Sequence, residues 1–295
     1  MKILAVVVTH NREALLKRCI HNLDNQSRPP DEILVIDNNS TDGTNQFLQK
    51  QEINFIKQEN LGSAGGWFTG IKYGLLHNYD LCWLMDDDGF PDSNSLFLLE
   101  DSYDKKYSCL SSLVVDETNH NQLVFPMPVL NKKGFPTLKP FRRKFYTISS
   151  FHEPQFIYPF AHLFNGALIS VQAVKEIGNI NKDYFLMGDE VDYFFRLKKV
   201  GLVGTLFQAK HYHPNVSERP YSDAKIYYLI KNTIINHNKY FDYSMLRNFA
   251  LLLVVSHRVI KRNGVSYFLK ILFNKDLILF KAFFRGINNI LGKDF

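Results

Sequence analysis

Apolar strand patterns and amphipathic helix patterns alternate along the first ninety residues of the chain. The run ILAVVV at residues 3–8 has no polar position, which is typical of a strand buried on both faces of a parallel sheet. Residues 12–26 carry apolar side chains at helical spacing. The alternation continues as a strand with its polar turn at 32–44, a helix at 44–51, a strand at 53–58, a helix at 65–78 and a strand at 79–88. This order predicts an α/β fold with a mostly parallel, doubly wound, Rossmann-like sheet.

The second half of the chain changes character twice. Residues 116–160 are rich in proline and contain the basic cluster KPFRRK at 139–144, so they are predicted to form a loop-rich insertion over the site. Regular secondary structure then resumes, as a strand leading into a helix at 162–178, a turn leading into a helix at 184–201, and a strand at 203–215. We expect one domain over residues 1–222 and a basic, aromatic, helical C-terminal annex over 223–295.

Composition narrows the class of protein. The chain has 295 residues, of which 45% are hydrophobic, enough for a substantial core. Its three cysteines, Cys19, Cys82 and Cys109, form no CxxC pair, so neither a zinc site nor a disulfide framework is predicted, and a reducing cytoplasmic compartment is favoured. Polar residues 9–13 follow the first apolar run at once, so that run is interpreted as a strand rather than a signal peptide.

Positive charge is concentrated in the predicted annex. The segment from Lys225 onward carries twelve Lys or Arg and three Asp, a net charge of +9, which leaves −3 for the residues before it. Such asymmetry indicates an anionic partner, either a membrane surface or nucleic acid. No nucleic-acid motif accompanies the charge, so nucleic acid is not expected. The longest apolar run, FALLLVV, is far shorter than the roughly 20 residues that a spanning helix needs.

One stretch of the annex has the pattern of a helix lying in a membrane interface. Between residues 267 and 289, polar side chains fall on one arc and Phe and Leu surround it. The residues of this arc are Lys270, Asn274, Lys281, Arg285 and Asn288. The alternatives are a basic-faced helix packed on the globular body and an oligomer contact. We expect peripheral contact with the anionic inner face of the cell membrane.

Polar clusters follow three of the predicted strands. They lie at Thr9–Arg12, Asp37–Asp42 and Asp86–Asp88. Because ligands bind beyond the carboxyl ends of the strands in open α/β sheets, these clusters are expected to meet at one ligand-binding edge.

The acidic triplet Asp86–Asp87–Asp88 needs something to offset its own repulsion. Residues i and i+2 of an extended strand point the same way, so Asp86 and Asp88 are expected to face one point and Asp87 to face away. Two carboxylates with open positions suit Mg²⁺ or Mn²⁺ bound together with substrate phosphates. The alternative is an acidic turn closed by Gly89 and Pro91.

Other motifs have both a chemical and a structural interpretation. Asp37 can accept hydrogen bonds from a base or ribose, or it can form a turn. The stretch NLGSAGGW at 60–67 precedes a helix and can let backbone N–H groups approach a phosphate, although alone it is a weak signal. Asp189, Glu190 and Asp192 can supply a general base or complement a helix N-terminus. One of His211 and His213 can add a nitrogen ligand.

Taken in order, these motifs resemble the family 2 GT-A glycosyltransferases, most closely their bacterial rhamnosyl- and galactofuranosyltransferase-like branch. The resemblance covers residues 1 to about 220 and rests on the segments VVVTHNR, VIDNNSTDGT, NLGSAGG, LMDDDGFP, NGALIS, GDEVDYFFRLKKVG and AKHYHP. It implies a nucleotide-sugar half at about 1–115 and an acceptor half, with the base, at 161–222. It departs from the family pattern at two places: DDD stands where DxD is more usual, and the acid pair reads Asp-Glu.

The resemblance also implies roles for individual residues. The nucleotide would be bound by Thr9, Asn11, Arg12, Asp37 and Asn38. The base or diphosphate would lie near Gly65, Gly66 and Trp67. Mn²⁺ or Mg²⁺ would be held by Asp86, Asp88 and His213, and Asp87 would lie near the ribose or sugar. Glu190 would be the catalytic base, with Asp189 beside it, and either of the two can be the acid that reaches the acceptor.

The implied activity is an inverting, metal-dependent transfer from a nucleotide diphosphosugar to a saccharide or lipid-linked saccharide in cell-surface polysaccharide synthesis, such as that of an O-antigen. The expected donor is UDP-galactofuranose, with dTDP-rhamnose as the alternative. A sugar nucleotidyltransferase usually has a glycine-rich basic loop after the first strand, where this chain reads THNREA. A non-catalytic scaffold of the same fold would be expected to lack the acidic clusters, which are present.

Overall fold

A computed structural model of the chain describes residues 1–132, 134–137, 144–151, 157–216, 218–273 and 277–295. Two predicted features lie outside these residues, namely the basic cluster at 139–144, apart from Lys144, and Asn274 of the polar arc. The described residues form eleven strands and ten α-helices, which alternate over residues 3–86 as the sequence predicts.

The strands are β1 Ile3–Thr9, β2 Glu32–Asp37, β3 Asn54–Lys57, β4 Leu81–Asp86, β5 Phe90–Pro91, β6 Tyr107–Asp116, β7 Gln122–Pro128, β8 Lys144–Thr147, β9 Ile157–Tyr158, β10 Asn165–Ser170 and β11 Leu202–His213. The helices are α1 Glu13–Asp24, α2 Thr44–Lys50, α3 Gly62–Leu76, α4 Ser95–Ser102, α5 Val171–Ile177, α6 Asp189–Leu197, α7 Asp223–Tyr240, α8 Ser244–Asn263, α9 Val265–Leu272 and α10 Ile278–Ile287. Strands β7 to β9 lie within the predicted loop-rich insertion.

The described strands form one mixed sheet, in which eight follow the order β3-β2-β1-β4-β10-β6-β11-β5. The other three lie off this path: β7 pairs with β6 and β8, and β9 pairs with β11. Strands β3, β2, β1 and β4 are parallel, and β10 is antiparallel to both of its neighbours, β4 and β6. Strand β11 is again parallel to β6. The fold is therefore α/β with a mostly parallel sheet, which confirms the predicted fold class.

Helices cover both faces of β1. On one face, Val7 shares a core cluster with Leu16 and Leu23 of α1. On the other face, α3 lies so close that a Cβ added at Gly70 would be 2.3 Å from Cγ1 of Val6. Glycines recur at every fourth residue of this helix, at Gly66, Gly70 and Gly74, and the last would place a Cβ 2.4 Å from Sγ of Cys82. This glycine stripe lets α3 pack directly against the sheet.

The chain divides into two compact units, called unit 1 and unit 2. Unit 1 consists of Met1–Asn60, Gly66–Asn179 and Arg196–Asn215, and it contains the whole described sheet. Unit 2 consists of Leu61–Gly65, Ile180–Phe195 and Val216–Phe295. Residues 180–195, which the sequence analysis placed in the acceptor half, thus belong to unit 2.

Unit 2 has a core of its own, built on α7. Ile226, Ile230 and Ile234 of that helix cluster with Val255 and Val259 of α8, and the cluster extends to residues of α9 and α10. None of the helices in the described part of the chain has the length and apolar character needed to cross a membrane.

Candidate active site

Three polar clusters meet at one edge of the sheet in unit 1. The parallel register sets Thr9 of β1 beside Asp37 of β2, and Val8 of β1 beside Asp86 of β4. All three strands therefore end at the same level. This confirms the prediction that the segments after β1, β2 and β4 converge.

Asp87 is buried beneath this edge and held by residues of the β1 end. Its Oδ2 accepts a hydrogen bond from Oγ1 of Thr9 at 2.7 Å, and its Oδ1 accepts one from Nη1 of Arg12 at 3.0 Å. Burial raises the pKa of Asp87, although the charge of Arg12 and the bond from Thr9 oppose that shift. Two predicted nucleotide-binding residues are thus in direct contact with the acidic triplet.

Asp88 bridges the guanidinium group of Arg12 and the imidazole ring of His213. Its Oδ2 is 3.2 Å from Nη1 of Arg12, and its Oδ1 is 3.0 Å from Nε2 of His213. Nδ1 of His213 is 2.7 Å from the carbonyl oxygen of Pro214, and because a carbonyl only accepts, Nδ1 carries a proton. In the neutral ring, Nε2 then presents a lone pair to a carboxylate oxygen. A pair of Lewis bases at this separation fits a shared proton or a shared metal cation, with the other ring nitrogen oriented by a carbonyl.

Strand alternation does not extend through the acidic triplet. Strand β4 ends at Asp86, so Asp87 and Asp88 lie in a turn, and both contact Arg12 instead of pointing to opposite sides. Asp86 is half-buried. Burial lowers the pKa of Arg12, but Asp87, Asp88 and, more weakly, Asp86 raise it further than burial lowers it. Within the described ranges, no group of three or more His, Cys, Asp and Glu side chains is arranged to hold a metal ion.

Arg18 supports the acidic turn and was not predicted from the sequence. Its Nη2 donates to the backbone oxygen of Asp88 at 2.7 Å, and its Nη1 is 2.7 Å from Oε2 of Glu117. The guanidinium group also lies 4.6 Å from the ring centre of Phe90. A single half-buried arginine of α1 shows no sequence pattern that predicts contacts with residues 70 and 99 positions away.

His211 fills the space behind the same turn. Its ring is fully buried, and neither ring nitrogen has a hydrogen-bond partner in the part of the chain that the structure describes. Burial and the neighbouring His213 lower the pKa of His211 to about 3, so the ring is neutral. A Cβ added at Gly89 would be 2.2 Å from Nε2 of His211. Of the two candidate histidines, His213 contacts the acidic triplet, and His211 packs against the glycine that follows it.

The loops after β1 and β2 are tied together. The backbone N–H of Asn11 donates to Oγ of Ser40 at 2.9 Å, and Oδ1 of Asn11 accepts from the N–H of Thr41 at 2.7 Å. Asp37 is fully buried, and its two oxygens accept from the N–H of Ser40 at 2.8 Å and from Nδ2 of Asn45 at 2.9 Å. Asp37 therefore forms the turn, and its role toward a nucleotide stays a prediction.

The remaining predicted nucleotide-binding residues differ in their surroundings. Asn38 is buried, and its Oδ1 accepts from Nε2 of Gln58 at 2.7 Å. Gly66 packs against β1, because a Cβ there would be 2.6 Å from Cγ1 of Val8. Trp67 is fully buried and stacks on Phe164 with ring centres 4.7 Å apart. The structure thus places the ring of Trp67 in the core beside α3, and its role near a base or diphosphate stays a prediction. Gly65 belongs to unit 2.

The three predicted acids of α6 have different environments within unit 2. Asp192 is buried and paired: its Oδ1 accepts from Nζ of Lys239 at 2.7 Å and from the hydroxyl of Tyr240 at 2.6 Å. Asp189 is buried, and its Oδ2 has no hydrogen-bond partner among the described residues. Burial, reinforced by the charge of Glu190, raises the pKa of Asp189 to about 7. Glu190 is half-buried. A carboxyl group that titrates near neutrality is suited to proton transfer.

Two asparagines of α7 hold the turn that leads into these acids. Nδ2 of Asn232 donates to three carbonyl oxygens of this turn, those of Tyr184, Leu186 and Met187, at 2.9, 3.0 and 2.7 Å. Nδ2 of Asn236 donates to the carbonyl of Gly188 at 2.8 Å. The turn needs this support because several of its residues have positive φ: Phe185, Met187 and Gly188. The asparagines lie one helical turn apart, a spacing that by itself gives no signal of contact with this turn.

Comparison with known proteins decides the family. Residues 4–164 match the family model described as Glycosyl transferase family 2, which is more than half of the chain. The chain belongs to glycosyl transferase family 2. This family 2 protein is accordingly a glycosyltransferase, as its motifs predicted.

Two curated relatives are galactofuranosyltransferases. The chain is 31% identical over 216 residues to galactofuranosyltransferase GlfT1 of Mycolicibacterium smegmatis, covering 71% of this chain and 70% of GlfT1. It is 30% identical over 220 residues to GlfT1 of Mycobacterium tuberculosis, covering 72% and 70%. A more distant relative is the low-salt glycan biosynthesis hexosyltransferase Agl10 of Haloferax volcanii, 22% identical over 254 residues, covering 82% and 77%.

Solved structures share the fold of this family 2 glycosyltransferase. The structure of S. aureus TarS residues 1–349 in complex with UDP aligns with a TM-score of 0.57 and 16% identity, covering 98% of this chain and 81% of that one. Mannosyltransferase PcManGT from Pyrobaculum calidifontis, in complex with GDP-Man and Mn²⁺, aligns with a TM-score of 0.56 and 14% identity, covering 96% and 83%. At these identities the likeness establishes the fold alone.

Proposed function

We propose that this family 2 glycosyltransferase transfers galactofuranose from UDP-galactofuranose, with inversion and with a divalent metal, to a saccharide or lipid-linked saccharide. The observation that carries the choice of sugar is the 30–31% identity to GlfT1 over about seven tenths of both chains. The runner-up donor is dTDP-rhamnose, which the resemblance in the motifs also allows.

The metal ion in this proposal is Mn²⁺ or Mg²⁺, held by Asp86, Asp88 and His213. The 3.0 Å approach of Nε2 of His213 to Oδ1 of Asp88 supports this assignment, because it brings one nitrogen and one oxygen that can bind such an ion side by side. When bound, such an ion stabilises the negative charge that develops on the departing nucleoside diphosphate. Carboxylates, imidazole and substrate phosphates are ligands that these ions accept.

The donor would lie along the edge formed by the ends of β1, β2 and β4. Thr9, Asn11, Arg12, Asp37 and Asn38 are proposed to bind the nucleotide, with Gly66 beside them and Asp87 toward the ribose or sugar. Arg12 supports this placement because its guanidinium group is shared between Asp87 and Asp88 and remains 45% exposed. An exposed guanidinium group next to a metal site can also receive a diphosphate oxygen.

The acceptor hydroxyl is proposed to lose its proton to Glu190 or Asp189 as its oxygen attacks the anomeric carbon. The carbon–oxygen bond to the diphosphate breaks in the same step, so the configuration at that carbon inverts. Glu190 is favoured as the base because it is less buried, while Asp189 lies next to it with a pKa of about 7. Asp192 is left out of the chemistry because Lys239 already neutralises its charge and the hydroxyl of Tyr240 already donates a hydrogen bond to it.

The cellular setting is part of the same proposal. All three cysteines are free and buried, which suits a reducing cytoplasm. An acceptor with a lipid anchor would bring the enzyme to the inner face of the cell membrane, where peripheral contact through unit 2 would hold it during polysaccharide synthesis.

A donor screen tests the function. We expect UDP with Mn²⁺ to raise the melting temperature more than dTDP or GDP does, and UDP-galactofuranose to be consumed with release of UDP. Stabilisation by dTDP alone would favour the rhamnosyl alternative. Release of pyrophosphate from a nucleoside triphosphate and a sugar 1-phosphate would instead identify a nucleotidyltransferase.

A further inference from the structure

Helix α8 of unit 2 has apolar residues on its outer side as well as its inner side along its first three turns. The exposed side carries Met245, Leu246, Phe249, Ala250, Leu253 and Val254. The inner side holds Leu251 and Leu252, which pack against the core of unit 2, and the buried Asn248, whose Oδ1 is 2.8 Å from Nδ1 of His237. A surface helix of a globular domain normally has polar residues on its outer side. The first half of α8 therefore presents an apolar face outward that the described chain does not cover.

Helix α10 presents a second outward apolar stripe. Its inner side is made of small or compact residues, and a Cβ added at Gly286 would be 2.8 Å from Cβ of Ile234 on α7. The outer side carries Phe280, Phe284 and Ile287, with the rings of the two phenylalanines parallel and 6.3 Å apart between centres. Tight packing of the inner side fixes the outer side toward solvent. Large apolar faces of this kind mark interaction surfaces.

The charged side chains within helices α8, α9 and α10 are all of one sign. Exposed cations lie on the same helices and on α9 between them in sequence, at Arg258, Lys261, Lys270 and Lys281. Helices α8, α9 and α10 contain no Asp or Glu. A partner that covers the apolar stripes must also accept these cations. Its surface must therefore be apolar where it contacts the stripes and anionic where it contacts the lysine and arginine side chains.

We propose that the outward faces of α8 and α10 insert into the interface of an anionic lipid bilayer, with the four cations at the level of the headgroups. This inference rests on the proposed function only for the reason why the enzyme would bind a membrane, since a lipid-linked acceptor would lie at that surface. Phenylalanine and leucine beside lysine and arginine are the composition of helices that lie in a membrane interface. A second copy of the chain fits less well, because a symmetric contact through these faces would bring the same cations together without acids to pair with them.

The test is flotation with vesicles of phosphatidylcholine alone and of phosphatidylcholine with phosphatidylglycerol. We expect the wild-type chain to float with the anionic vesicles and much less with the neutral ones. Phe280→Asp with Phe284→Asp, and Phe249→Asp with Leu253→Asp, are each expected to reduce the bound fraction by about tenfold or more. Matched controls are Phe97→Asp and Leu76→Asp, which change exposed apolar residues of unit 1 (50% and 68% exposed) and should float like the wild type.

Charge and depth give independent readouts. Lys261→Glu with Lys281→Glu should weaken binding to anionic vesicles, whereas Lys50→Glu with Lys199→Glu should not. Phe280→Trp should shift its emission to the blue on binding and be quenched by brominated lipid chains, since the native Trp67 and Trp83 are fully buried. Normal UDP binding with Mn²⁺ in every variant shows that the fold is intact and separates failure of this proposal from failure of the proposed function.

Three outcomes would overturn the proposal. The first is undiminished flotation of either apolar double variant, and the second is equal binding to neutral and anionic vesicles. The third is a wild-type dimer in solution that the same substitutions dissociate while no vesicle binding occurs, which would assign the faces to a second copy of the chain.

Discussion

Nε2 of His213 and Oδ1 of Asp88 lie 3.0 Å apart, although His213 ends β11, Asp88 lies in the turn after β4, and 125 positions separate them in the sequence. If this pair holds the proposed metal, then His213→Ala and Asp88→Asn should each weaken UDP binding in the presence of Mn²⁺ by about tenfold or more, and the two losses should not add. Calorimetric titration with and without Mn²⁺ measures this. Without the metal, His213→Ala should bind UDP as the wild type does.

A control for that experiment is His21→Ala, which removes an exposed histidine of α1. An equal loss of UDP affinity with and without Mn²⁺ would contradict the metal assignment and leave His213 as an ion-pair partner of Asp88.

A second prediction concerns the contact between Gly89 and His211. Gly89→Ala should shift the acidic turn, because the added methyl group would meet Nε2 of His211 at 2.2 Å. Overpacking of this kind costs about 1–3 kcal/mol, and the metal-dependent affinity for UDP should fall with it. Removing the obstacle in Gly89→Ala with His211→Ala should cost less than the sum of the single changes. Thermal unfolding and UDP titration measure both effects.

The comparison variant is Gly178→Ala. A Cβ there has nothing within 4 Å, and only its φ of +78° opposes a side chain. It should lower stability modestly and leave UDP affinity alone. Fully additive costs for Gly89→Ala and His211→Ala would show that the two residues do not restrain each other.

The sheet and the convergence of its polar loops could be predicted from the sequence because both follow from local pattern. Runs such as ILAVVV fix buried parallel strands, and parallel strands end at one edge, so Thr9, Asp37 and Asp86 had to come together. The orientation of Asp87 and Asp88 could not be predicted in this way. Alternation holds only inside a strand, and β4 ends at Asp86.

Supporting residues far along the chain gave no local signal. Arg18 donates to the backbone of Asp88, and Asn232 donates to the turn before Asp189, and both contacts depend on packing between distant segments. The burial of Trp67 could not be read from the glycine-rich segment before it, because such a segment also resembles a phosphate loop. The spacing of Gly66, Gly70 and Gly74 was a readable signal that the helix would pack closely on the sheet and bury its neighbours.

A third prediction uses the pKa of Asp189, which burial raises to about 7 from its ordinary value of 3.8. Between those two values the folded protein binds more protons than the unfolded chain, so this residue makes stability fall as the pH rises from about 4 to about 7 and level off above that. Asp189→Asn removes the ionisation. It should therefore raise the melting temperature relative to the wild type at pH 8 and change it little at pH 5.

Activity measurements separate a role in stability from a role in catalysis for Asp189 and Glu190. Glu190→Gln should nearly abolish transfer while UDP affinity is kept, if Glu190 is the base. Transfer that survives in both Asp189→Asn and Glu190→Gln would contradict the base assignment, and a melting temperature that is lower at pH 8 in Asp189→Asn would contradict its burial as an acid.

A fourth prediction concerns Asn232, whose Nδ2 donates to the carbonyls of Tyr184, Leu186 and Met187. Asn232→Asp keeps the shape but replaces the donor with an acceptor that faces three carbonyl oxygens. Leaving such buried groups unpaired costs about 1–3 kcal/mol for each group, so stability should fall. The turn before Asp189 should loosen, and the turnover number should fall more than UDP affinity. Asn238→Asp, on the same helix, is the control, and equal effects of the two changes would contradict a role for the turn.

A final prediction concerns Lys231, whose fully buried ammonium group is 2.7 Å from Oδ1 of Asp294 and 2.9 Å from the carbonyl oxygen of Gly292. Asp294→Ala leaves this charge in the core of unit 2 without its carboxylate. Removing one partner of a buried ion pair costs about 3–5 kcal/mol. Because burial lowers the pKa of Lys231, the unfolded chain binds more protons than the folded protein at alkaline pH, and the loss should shrink as the pH rises toward 10.

Thermal unfolding of a small set of variants checks this contact. Lys231→Met with Asp294→Ala should recover much of the stability that Asp294→Ala alone loses, because an apolar chain of similar length needs no counterion. Asp104→Ala, which breaks an exposed pair with Lys106, should change the melting temperature little. Asp294→Ala could instead lower the melting temperature at neutral pH as little as Asp104→Ala does. The amino group of Lys231 would then have to be neutral or reached by water. In that case the buried pair would not hold α7 to the segment after α10.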